Sequence, residues 1–218
     1  MKFVPNAPEA VLAAAKDMLL RNLVEGTAGN ISARQEDGTI VITPSSVDYA
    51  DMQLDDLVII DPEGETIQAK EGRSASSEKL LHLACYKGYD DIGSVIHSHP
   101  VYATMFAITH QSIPACIDEF SIYVGGEVRC TNYAASGTPD VGTAAVDALK
   151  DRGAALIANH GMVAVGPTPD KVLHITALVE RSAQIVYGAR AIGTVQPLPE
   201  AVDAGFASIY VGYMRQYA

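Results

Sequence analysis

Two short apolar runs that each end in histidine place the strongest constraint on how this chain folds. The run 93–96 leads directly into His97-Ser98-His99-Pro100, and the run 154–158 leads into Asn159-His160-Gly161. Runs of this length and composition are typical of buried β-strands. Because side chains alternate along a strand, His97 and His99 point to the same face. We therefore expect a sheet in which two strand ends carry histidines, and strand ends are places where binding sites collect.

The three histidines have the side-chain type that a metal site needs. Two imidazoles on one strand face can bind one transition-metal ion, and a third, distant histidine would leave the fourth tetrahedral position open. That arrangement is typical of a catalytic zinc ion rather than a structural one. An ordinary explanation stays open on these residues alone, because His-x-His pairs also occur by chance and a histidine before glycine often closes a turn.

Length and composition predict one domain over residues 1–218. The chain is 48% hydrophobic, which is enough for one well-filled core, and no linker-like segment divides it. Its net charge of −11 and pI of about 4.8 argue against non-specific binding to nucleic acid, which depends on basic surface.

Cysteine usage and hydropathy indicate the compartment. Cys85, Cys116 and Cys130 are odd in number and form no Cys-x-x-Cys pair, so free thiols in a reducing compartment are the simplest account. No apolar run approaches the length of a membrane span. The expectation is a soluble cytoplasmic protein without a membrane partner.

Hydrophobic periodicity predicts a mixture of helices and strands. Helices are expected over residues 7–24, from Ser76 or Ser77 onwards, over 102–109, 139–152 and 169–189, and from 200 onwards. Strands are expected over 31–35, 40–43, 57–61, 93–96, 154–159 and 162–165. Because short turns join many of these strands, the sheet should be antiparallel or mixed, with helices on both of its faces.

Three loops rich in small and hydroxyl-bearing residues precede or follow these elements. They are Gly26-Thr27-Ala28-Gly29-Asn30-Ile31-Ser32, Thr43-Pro44-Ser45-Ser46 and Arg73-Ser74-Ala75-Ser76-Ser77-Glu78. Such loops can be plain connections, or they can bring backbone N–H groups and hydroxyls close to an anion. Glu78 is expected in a first helical turn, where it either complements the helix dipole or serves a neighbouring metal as ligand or base. His82 lies on the same helical face, and we expect it to pack or to support the site.

Together, these segments resemble the class II aldolase/adducin family in order and spacing over essentially the whole chain. The motifs that carry the resemblance are the three loops, His97-Ser98-His99 and Asn159-His160-Gly161. The resemblance is greatest to the branch that cleaves L-fuculose 1-phosphate. It implies a three-layer α/β/α sandwich around a mostly antiparallel central sheet. It also implies a homotetramer with active sites between neighbouring subunits.

The resemblance also implies roles for individual residues. Zn²⁺ or another divalent metal, one ion per subunit, would be bound by His97, His99 and His160. Glu78 would be the catalytic acid/base, and it would also be a metal ligand when no substrate is bound. The phosphate of a sugar phosphate would be bound by residues of the three loops, namely Thr27, Gly29, Asn30, Ser45, Ser46, Ser76 and Ser77. The expected reaction cleaves a ketose 1-phosphate to dihydroxyacetone phosphate and an aldehyde such as lactaldehyde.

The chain departs from that branch at several positions. Asp118 and Ser136 stand where the branch has an aromatic pair around the aldehyde, and Ser46 stands where the family has glycine. Tyr213 or Tyr217 could reach a neighbouring subunit's site. The aldehyde half of the substrate is therefore not specified by the resemblance.

Several other functions stay open. The L-ribulose-5-phosphate 4-epimerase branch has aspartate where this chain has Glu78, but Asp118 and Glu119 supply acidic groups in a segment that the epimerases use. Dehydratases and decarboxylases of the same family act on related substrates. A non-catalytic, adducin-like assembly domain would be expected to lack the metal residues that this chain retains. A metal-binding protein without turnover is a further alternative.

Overall fold

A seven-stranded sheet forms the centre of the molecule, in a computed structural model that describes residues 1–212. Its strands are β1 (Asn30–Arg34), β2 (Ile40–Ile42), β3 (Val58–Ile60), β4 (Thr66–Gln68), β5 (Ser94–Ser98), β6 (Ala154–Ile157) and β7 (Gly161–Gly166). They lie in the order β4-β3-β2-β1-β5-β7-β6, and each neighbouring pair is antiparallel. The interior strand β5 is therefore flanked by β1 and β7, and this arrangement determines which residues surround its histidines.

Seven α-helices among residues 1–212 cover the two faces of the sheet. They are α1 (Ala7–Leu20), α2 (Lys79–Gly88), α3 (Val101–Ile108), α4 (Asp118–Val124), α5 (Pro139–Leu149), α6 (Pro169–Ile192) and α7 (Glu200–Tyr210). Helices α2 and α5 pack together on one face, whereas α1, α3 and α6 pack on the other, with α4 beside α6 and α7 packed against α4. The predicted three-layer α/β/α sandwich around an antiparallel sheet is confirmed.

Strict alternation along the strands produces two separate apolar cores. On β2, Ile40 and Ile42 join the core under α2 and α5, and Val41 between them joins the core on the α1 side. The same alternation divides β6, where Leu156 and Ile157 face opposite helix layers. Because the side-chain period of a strand is two, a slip of one residue would exchange these faces, so the pattern fixes the register of the sheet.

The first helix is shorter than its sequence pattern predicts. It ends at Leu20 rather than near residue 24, because Asn22 takes a left-handed conformation with φ of 55°. Two backbone bonds close the end, from Leu23 N to Met18 O (2.9 Å) and from Asn22 N to Leu19 O (3.0 Å). This pair of bonds is a Schellman motif with asparagine in the position that glycine usually takes, so the stop expected at Gly26 was wrong.

Other elements differ from the predictions at their boundaries or were not predicted. Helix α2 begins at Lys79, so neither Ser76 nor Ser77 is its N-cap, and Glu78 is the N-cap residue rather than a member of the first turn. Strand β4 has only exposed residues and therefore lacks a burial pattern. Helix α4 has only seven residues, and it follows residues 113–117, whose sequence pattern is typical of an edge strand.

The described residues contain no helix that is both long enough and apolar enough to cross a membrane. Tyr213 and Tyr217, which the resemblance suggests for a neighbouring site, lie outside the described residues.

Candidate active site

The antiparallel pairing of β5 with β7 brings the three histidines together. His97 and His99 lie at the carboxyl end of β5, and Ser98 pairs with Met162 at the start of β7. The tight turn from β6 into β7 carries His160, so this residue lies beside the end of β5. The segment before α2 brings Glu78 to the same point. Residues that are up to 82 positions apart thus meet at one end of the strands because of the strand order.

The four side chains form a compact cluster of nitrogen and oxygen donors. One potential ligand atom from each of Glu78, His97, His99 and His160 lies within 4.8 Å of the other three. Oε2 of Glu78 is 2.7 Å from Nε2 of His97, and Oε1 is 3.4 Å from Nε2 of His160. The two Nε2 atoms of His97 and His99 are 2.9 Å apart. This group therefore has the composition of a four-ligand metal site.

A backbone contact sets the protonation of His97. Its Nδ1 is 2.9 Å from the carbonyl oxygen of Met162, which can only accept a hydrogen bond, so Nδ1 carries the proton. Nε2 is then the nitrogen that would bind a metal, and in the metal-free chain it lies within hydrogen-bond distance of Oε2 of Glu78. Metal-binding histidines usually have this second contact, because it fixes the tautomer and the ring orientation. Lone pairs of several donors that converge on one point suit a cation.

The ionisation of the cluster also suits a cation. Burial would raise the pKa of Glu78, but the hydrogen bond and charge of His97 and the charges of the other two histidines lower it to about 2. Burial and the neighbouring histidines lower the pKa of His99 to about 4. Burial, followed by the charge of His97, lowers the pKa of His160. At neutral pH, Glu78 is therefore a carboxylate, and His99 and His160 are neutral ligands.

Two glycines allow the backbone to approach the cluster closely. A Cβ atom at Gly29, where φ is +80°, would lie 2.8 Å from the carbonyl oxygen of His97. A Cβ atom at Gly161 would lie 2.6 Å from Cδ2 of the His99 ring. Asn159 precedes His160 in a left-handed conformation with φ of 56°, and its Oδ1 accepts a hydrogen bond of 2.7 Å from Nε2 of His110. These contacts hold the loops that carry the ligands.

A cavity of about 370 Å³ opens beside the cluster. It is lined by members of all three hydroxyl-rich loops and of the cluster, namely Thr27, Ala28, Gly29, Asn30, Pro44, Ser45, Ser46, Ser76, Ser77, Glu78, His99, Ser136 and His160. All seven residues predicted to bind the substrate are therefore brought together there, and His97 lies beneath them, fully buried. No lysine or arginine lines the cavity within residues 1–212.

Backbone hydrogen bonds connect the loops of the cavity. Ser45 N donates to the carbonyl oxygen of Ser74 (2.9 Å), and Ser76 N donates to that of Thr43 (3.2 Å). The side chain of Ser76 accepts a hydrogen bond from the backbone N–H of Glu78 (3.3 Å). The second and third loops are thus held side by side, with the serine hydroxyls on the rim and Glu78 next to the histidines.

Two further residues contribute to the site through contacts that the sequence patterns did not predict. Ser136 lines the cavity, and its Oγ is 3.3 Å from Nδ1 of His160. Tyr49, which is buried, donates a hydrogen bond of 2.7 Å to the carbonyl oxygen of Gly29 and supports the first loop. Asp118 and Glu119 are exposed at the start of α4 and do not line the cavity.

Comparison with known proteins agrees with this geometry. The Class II Aldolase and Adducin N-terminal domain family matches residues 9–187. A 5-deoxy-D-ribulose 1-phosphate aldolase from Bacillus thuringiensis serovar kurstaki is 34% identical over 209 residues, which cover 95% of this chain and 97% of the relative. An L-fuculose phosphate aldolase from Escherichia coli strain K12 is 34% identical over 193 residues, covering 88% of this chain and 87% of the relative.

A solved structure and a relative with a different activity extend the comparison. The structure of an L-fuculose 1-phosphate aldolase superposes with a TM-score of 0.88 at 30% identity and covers 95% of this chain and 97% of that one. An L-ribulose-5-phosphate 4-epimerase from Salmonella paratyphi C is 31% identical over 197 residues, covering 84% of this chain and 85% of the relative. The family match spans well over half of the sequence, and the chain belongs to the class II aldolase and adducin N-terminal domain family.

Proposed function

We propose that this protein is a metal-dependent aldolase that cleaves a ketose 1-phosphate to dihydroxyacetone phosphate and an aldehyde. One observation carries the proposal: the carboxylate of Glu78 lies among three histidine nitrogens, at the edge of a cavity whose lining is rich in hydroxyl and amide side chains. A carboxylate in that position has both a metal site and a substrate site within reach.

His97, His99 and His160 are the residues that would hold the metal, with Glu78 as the fourth ligand when no substrate is bound. The donor set of three imidazoles and a carboxylate suits zinc, which prefers four nitrogen, sulfur or oxygen ligands. When bound, a zinc ion supplies a Lewis acid that stabilises negative charge as it develops on the substrate's carbonyl and adjacent hydroxyl oxygens. A lysine that forms a Schiff base is then not required.

Glu78 is the acid/base in this proposal. In the direction of synthesis, its carboxylate would remove a proton from the carbon next to the carbonyl of dihydroxyacetone phosphate. In the direction of cleavage, it would accept the proton lost by the substrate hydroxyl that becomes the aldehyde oxygen, and it would deliver a proton to the carbon next to the carbonyl after the carbon–carbon bond breaks. The low pKa of Glu78, to which His97 contributes a hydrogen bond and charge, keeps the side chain deprotonated and ready to accept a proton at neutral pH.

The phosphate would be bound by uncharged donors. Since no cation lines the cavity within the described part of the chain, hydroxyl and amide groups of Thr27, Asn30, Ser45, Ser76 and Ser77, with backbone N–H groups at Gly29 and Ser46, would provide the hydrogen bonds. These groups lie apart from the carbon–carbon bond that breaks. Binding energy at such a remote group can be used to orient the reacting end.

The relatives support a ketose 1-phosphate as the substrate class. The two aldolase relatives are named for 5-deoxyribulose 1-phosphate and for fuculose phosphate. L-Fuculose 1-phosphate, with lactaldehyde as the aldehyde product, is the substrate that the sequence motifs favour, and 5-deoxyribulose 1-phosphate is a second candidate. Ser136, a small side chain at the cavity, would contact the aldehyde half.

Sugar-phosphate 4-epimerisation is the second candidate function, because one relative with that activity is 31% identical. In this case an acidic residue from the segment of Asp118 and Glu119 would take part. Both side chains are exposed and outside the cavity of their own chain, which favours the aldolase. Dehydratase or decarboxylase activity would use the same metal site. An adducin-like assembly role is disfavoured because all four metal-site residues are present.

The proposed assembly is a homotetramer of single-domain chains, each spanning residues 1–218. Large apolar side chains on α6 are exposed in the single chain, including Tyr187 at 56% and Ile192 at 91%, as expected of a surface that a neighbouring subunit covers. A cytoplasmic location is part of the proposal, and the three cysteines, which are free, suit a reducing compartment.

The test is to incubate the zinc-loaded protein separately with L-fuculose 1-phosphate, 5-deoxyribulose 1-phosphate and L-ribulose 5-phosphate. Dihydroxyacetone phosphate and epimer formation are measured in each. Release of dihydroxyacetone phosphate from either ketose 1-phosphate, without epimer formation from the third, is the expected result. Epimer formation alone would contradict the proposed aldolase activity and support the epimerase activity. No product from any of the three, at full metal occupancy, would contradict the proposed substrate class.

A further inference from the structure

A chain of buried polar side chains runs from the middle of α2 to the wall of the cavity. Four-residue steps on a helix rise about 6 Å, and two-residue steps on a strand rise about 6.7 Å. The spacing of His82 and Tyr86 along α2 therefore matches the spacing of Asn30 and Ser32 along β1. The side chains of all four residues are buried among the two layers, with 0 to 5% of their surface exposed.

Three short hydrogen bonds connect these four side chains in a row. The hydroxyl of Tyr86 is 2.9 Å from Oγ of Ser32, and that Oγ is 2.7 Å from Nδ1 of His82. On the other side of the ring, Nε2 of His82 is 2.5 Å from Oδ1 of Asn30. Burial lowers the pKa of His82 to about 3, so the ring is neutral and carries a single proton.

The proton of Tyr86 determines the direction of the row. Within residues 1–212, Ser32 is the one hydrogen-bond partner of the Tyr86 hydroxyl, and a buried O–H without an acceptor is costly. Tyr86 therefore donates to Ser32, and Ser32 in turn donates to Nδ1 of His82. With Nδ1 acting as an acceptor, the single proton of the ring lies on Nε2 and is donated to Oδ1 of Asn30.

This direction leaves the amide nitrogen of Asn30 available to a ligand in the cavity. Oδ1 is occupied by His82, and Nδ2 has no hydrogen-bond partner among the described residues, although Asn30 lines the cavity. An amide can present either an acceptor or two donors, and here the donors face the cavity. Asn30 also pairs with His97 across the sheet, so these donors lie beside the metal-site cluster.

We infer that Tyr86, Ser32 and His82 are positioning residues that hold the Asn30 amide with its N–H donors toward the phosphate of the substrate. The inference rests on the proposed function, because it names the phosphate as the group that these donors meet. Orientation matters more here than in a basic site, because no lysine or arginine of the described chain lines the cavity. An inverted amide would present an oxygen to the phosphate and repel it.

Tyr86→Phe tests this directly, because it removes the starting donor and keeps the aromatic ring. The ring also lies 4.8 Å from the guanidinium carbon of Arg34, and phenylalanine preserves that contact. Without the phenol, Ser32 can accept a hydrogen bond from Nδ1–H of the other His82 tautomer, and the Asn30 amide is free to invert. Tyr89→Phe is the matched control, since it removes a hydroxyl from the C-cap residue of the same helix, where the bond runs to the carbonyl oxygen of Val146 (2.8 Å).

The measurement is the dissociation constant of inorganic phosphate from the metal-loaded protein, by calorimetry, with metal content determined on the same samples. Tyr86→Phe should weaken phosphate binding by about threefold to tenfold, with metal content unchanged, while Tyr89→Phe stays within twofold of the wild type. Ser32→Ala interrupts the row at a second point and should weaken binding in the same way, which guards against a folding defect in one variant.

Two results would overturn the inference, and they are distinguishable. Wild-type affinity in both Tyr86→Phe and Ser32→Ala, or equal weakening in Tyr86→Phe and Tyr89→Phe, would show that the row does not orient the amide, and would leave the proposed function intact. Absence of phosphate binding by the wild-type protein itself would overturn both the inference and the phosphate site of the proposed function.

Discussion

Gly161 leaves no room for a side chain beside His99. A Cβ atom at Gly161 would lie 2.6 Å from Cδ2 of the His99 ring and 2.5 Å from the carbonyl oxygen of Ser98. Both contacts are shorter than carbon atoms tolerate, and one of them is to backbone, which cannot move aside like a flexible side chain. The turn that delivers His160 is thus in contact with the strand that delivers His99, so the position of one ligand depends on the other.

Gly161→Ala should therefore damage the metal site more than the fold. Displacement of the His99 ring should reduce metal affinity by at least tenfold, with a loss of stability of about 1–3 kcal/mol, as is usual for overpacking. Metal affinity measured by competition with a chelator checks this. Gly188→Ala is the control, because nothing lies within 4 Å of a Cβ atom there. Equal metal affinity in both variants would show that the contact has no bearing on the site.

His97→Ala and Glu78→Gln should separate metal binding from proton transfer. His97→Ala removes the ligand that contacts Glu78 at 2.7 Å and should lose both metal and activity. Glu78→Gln keeps the shape of the side chain and should keep much of the metal, while turnover falls about 100-fold or more because the base is gone. Metal analysis and the rate of dihydroxyacetone phosphate release check both variants. Equal loss of metal would mean that Glu78 acts chiefly as a ligand.

Ser77→Ala should weaken substrate binding without affecting the metal. Loss of one hydrogen bond to a charged phosphate costs about 1.5–3 kcal/mol, so kcat/KM should fall about tenfold or more at unchanged metal content. Steady-state kinetics with the best substrate measures the effect. Ser208→Ala removes an exposed hydroxyl that bonds only locally, to the carbonyl oxygen of Gly205, and should behave as the wild type. Parallel changes in both variants would argue against a phosphate contact at Ser77.

Much of the fold and most of the site residues were predictable from the sequence, for identifiable reasons. The runs before His97 and before His160 are buried on both faces and therefore read clearly as strands. The pairing of β5 with β7, which makes the three histidines neighbours, follows from strand order and is not encoded in either run alone. The early end of α1 depends on a left-handed Asn22, a conformation that the hydrophobic period does not signal.

The polar support of the site was harder to predict. His82 was expected to pack or to support the site, and the structure shows it bonded to both Ser32 and Asn30. Its partners lie about 50 residues away in the chain, so only the packing of α2 on β1 reveals them. Ser136 approaches His160 through a loop between α4 and α5, for which no periodic pattern exists. The roles predicted for the individual site residues remain predictions that the variants above test.

Stability of the metal-free protein should fall steeply as the pH drops below about 6.5. Burial lowers the pKa of His82 to about 3 and that of His99 to about 4, so the unfolded chain takes up protons that the folded chain does not. The stability that these groups contribute is complete above the ordinary histidine pKa and is lost toward the folded values. At pH 5 the loss should be roughly 2 kcal/mol from His82 and about 1 from the partly exposed His99.

Urea unfolding of the metal-free protein at pH 7 and pH 5 measures this difference. Equal stability of the wild-type protein at pH 7 and pH 5 would contradict the account of His82 as a buried, neutral side chain.

The central claim is that Glu78 catalyses carbon–carbon cleavage at a metal held by three histidines. The most direct measurement is dihydroxyacetone phosphate release from a ketose 1-phosphate by wild type and Glu78→Gln at equal, verified metal occupancy. The account predicts rapid release by the wild type, loss of release after chelation, recovery when zinc is restored, and at most about one-hundredth of the rate in Glu78→Gln. Release that survives chelation, or an unchanged rate in Glu78→Gln at full occupancy, would contradict it.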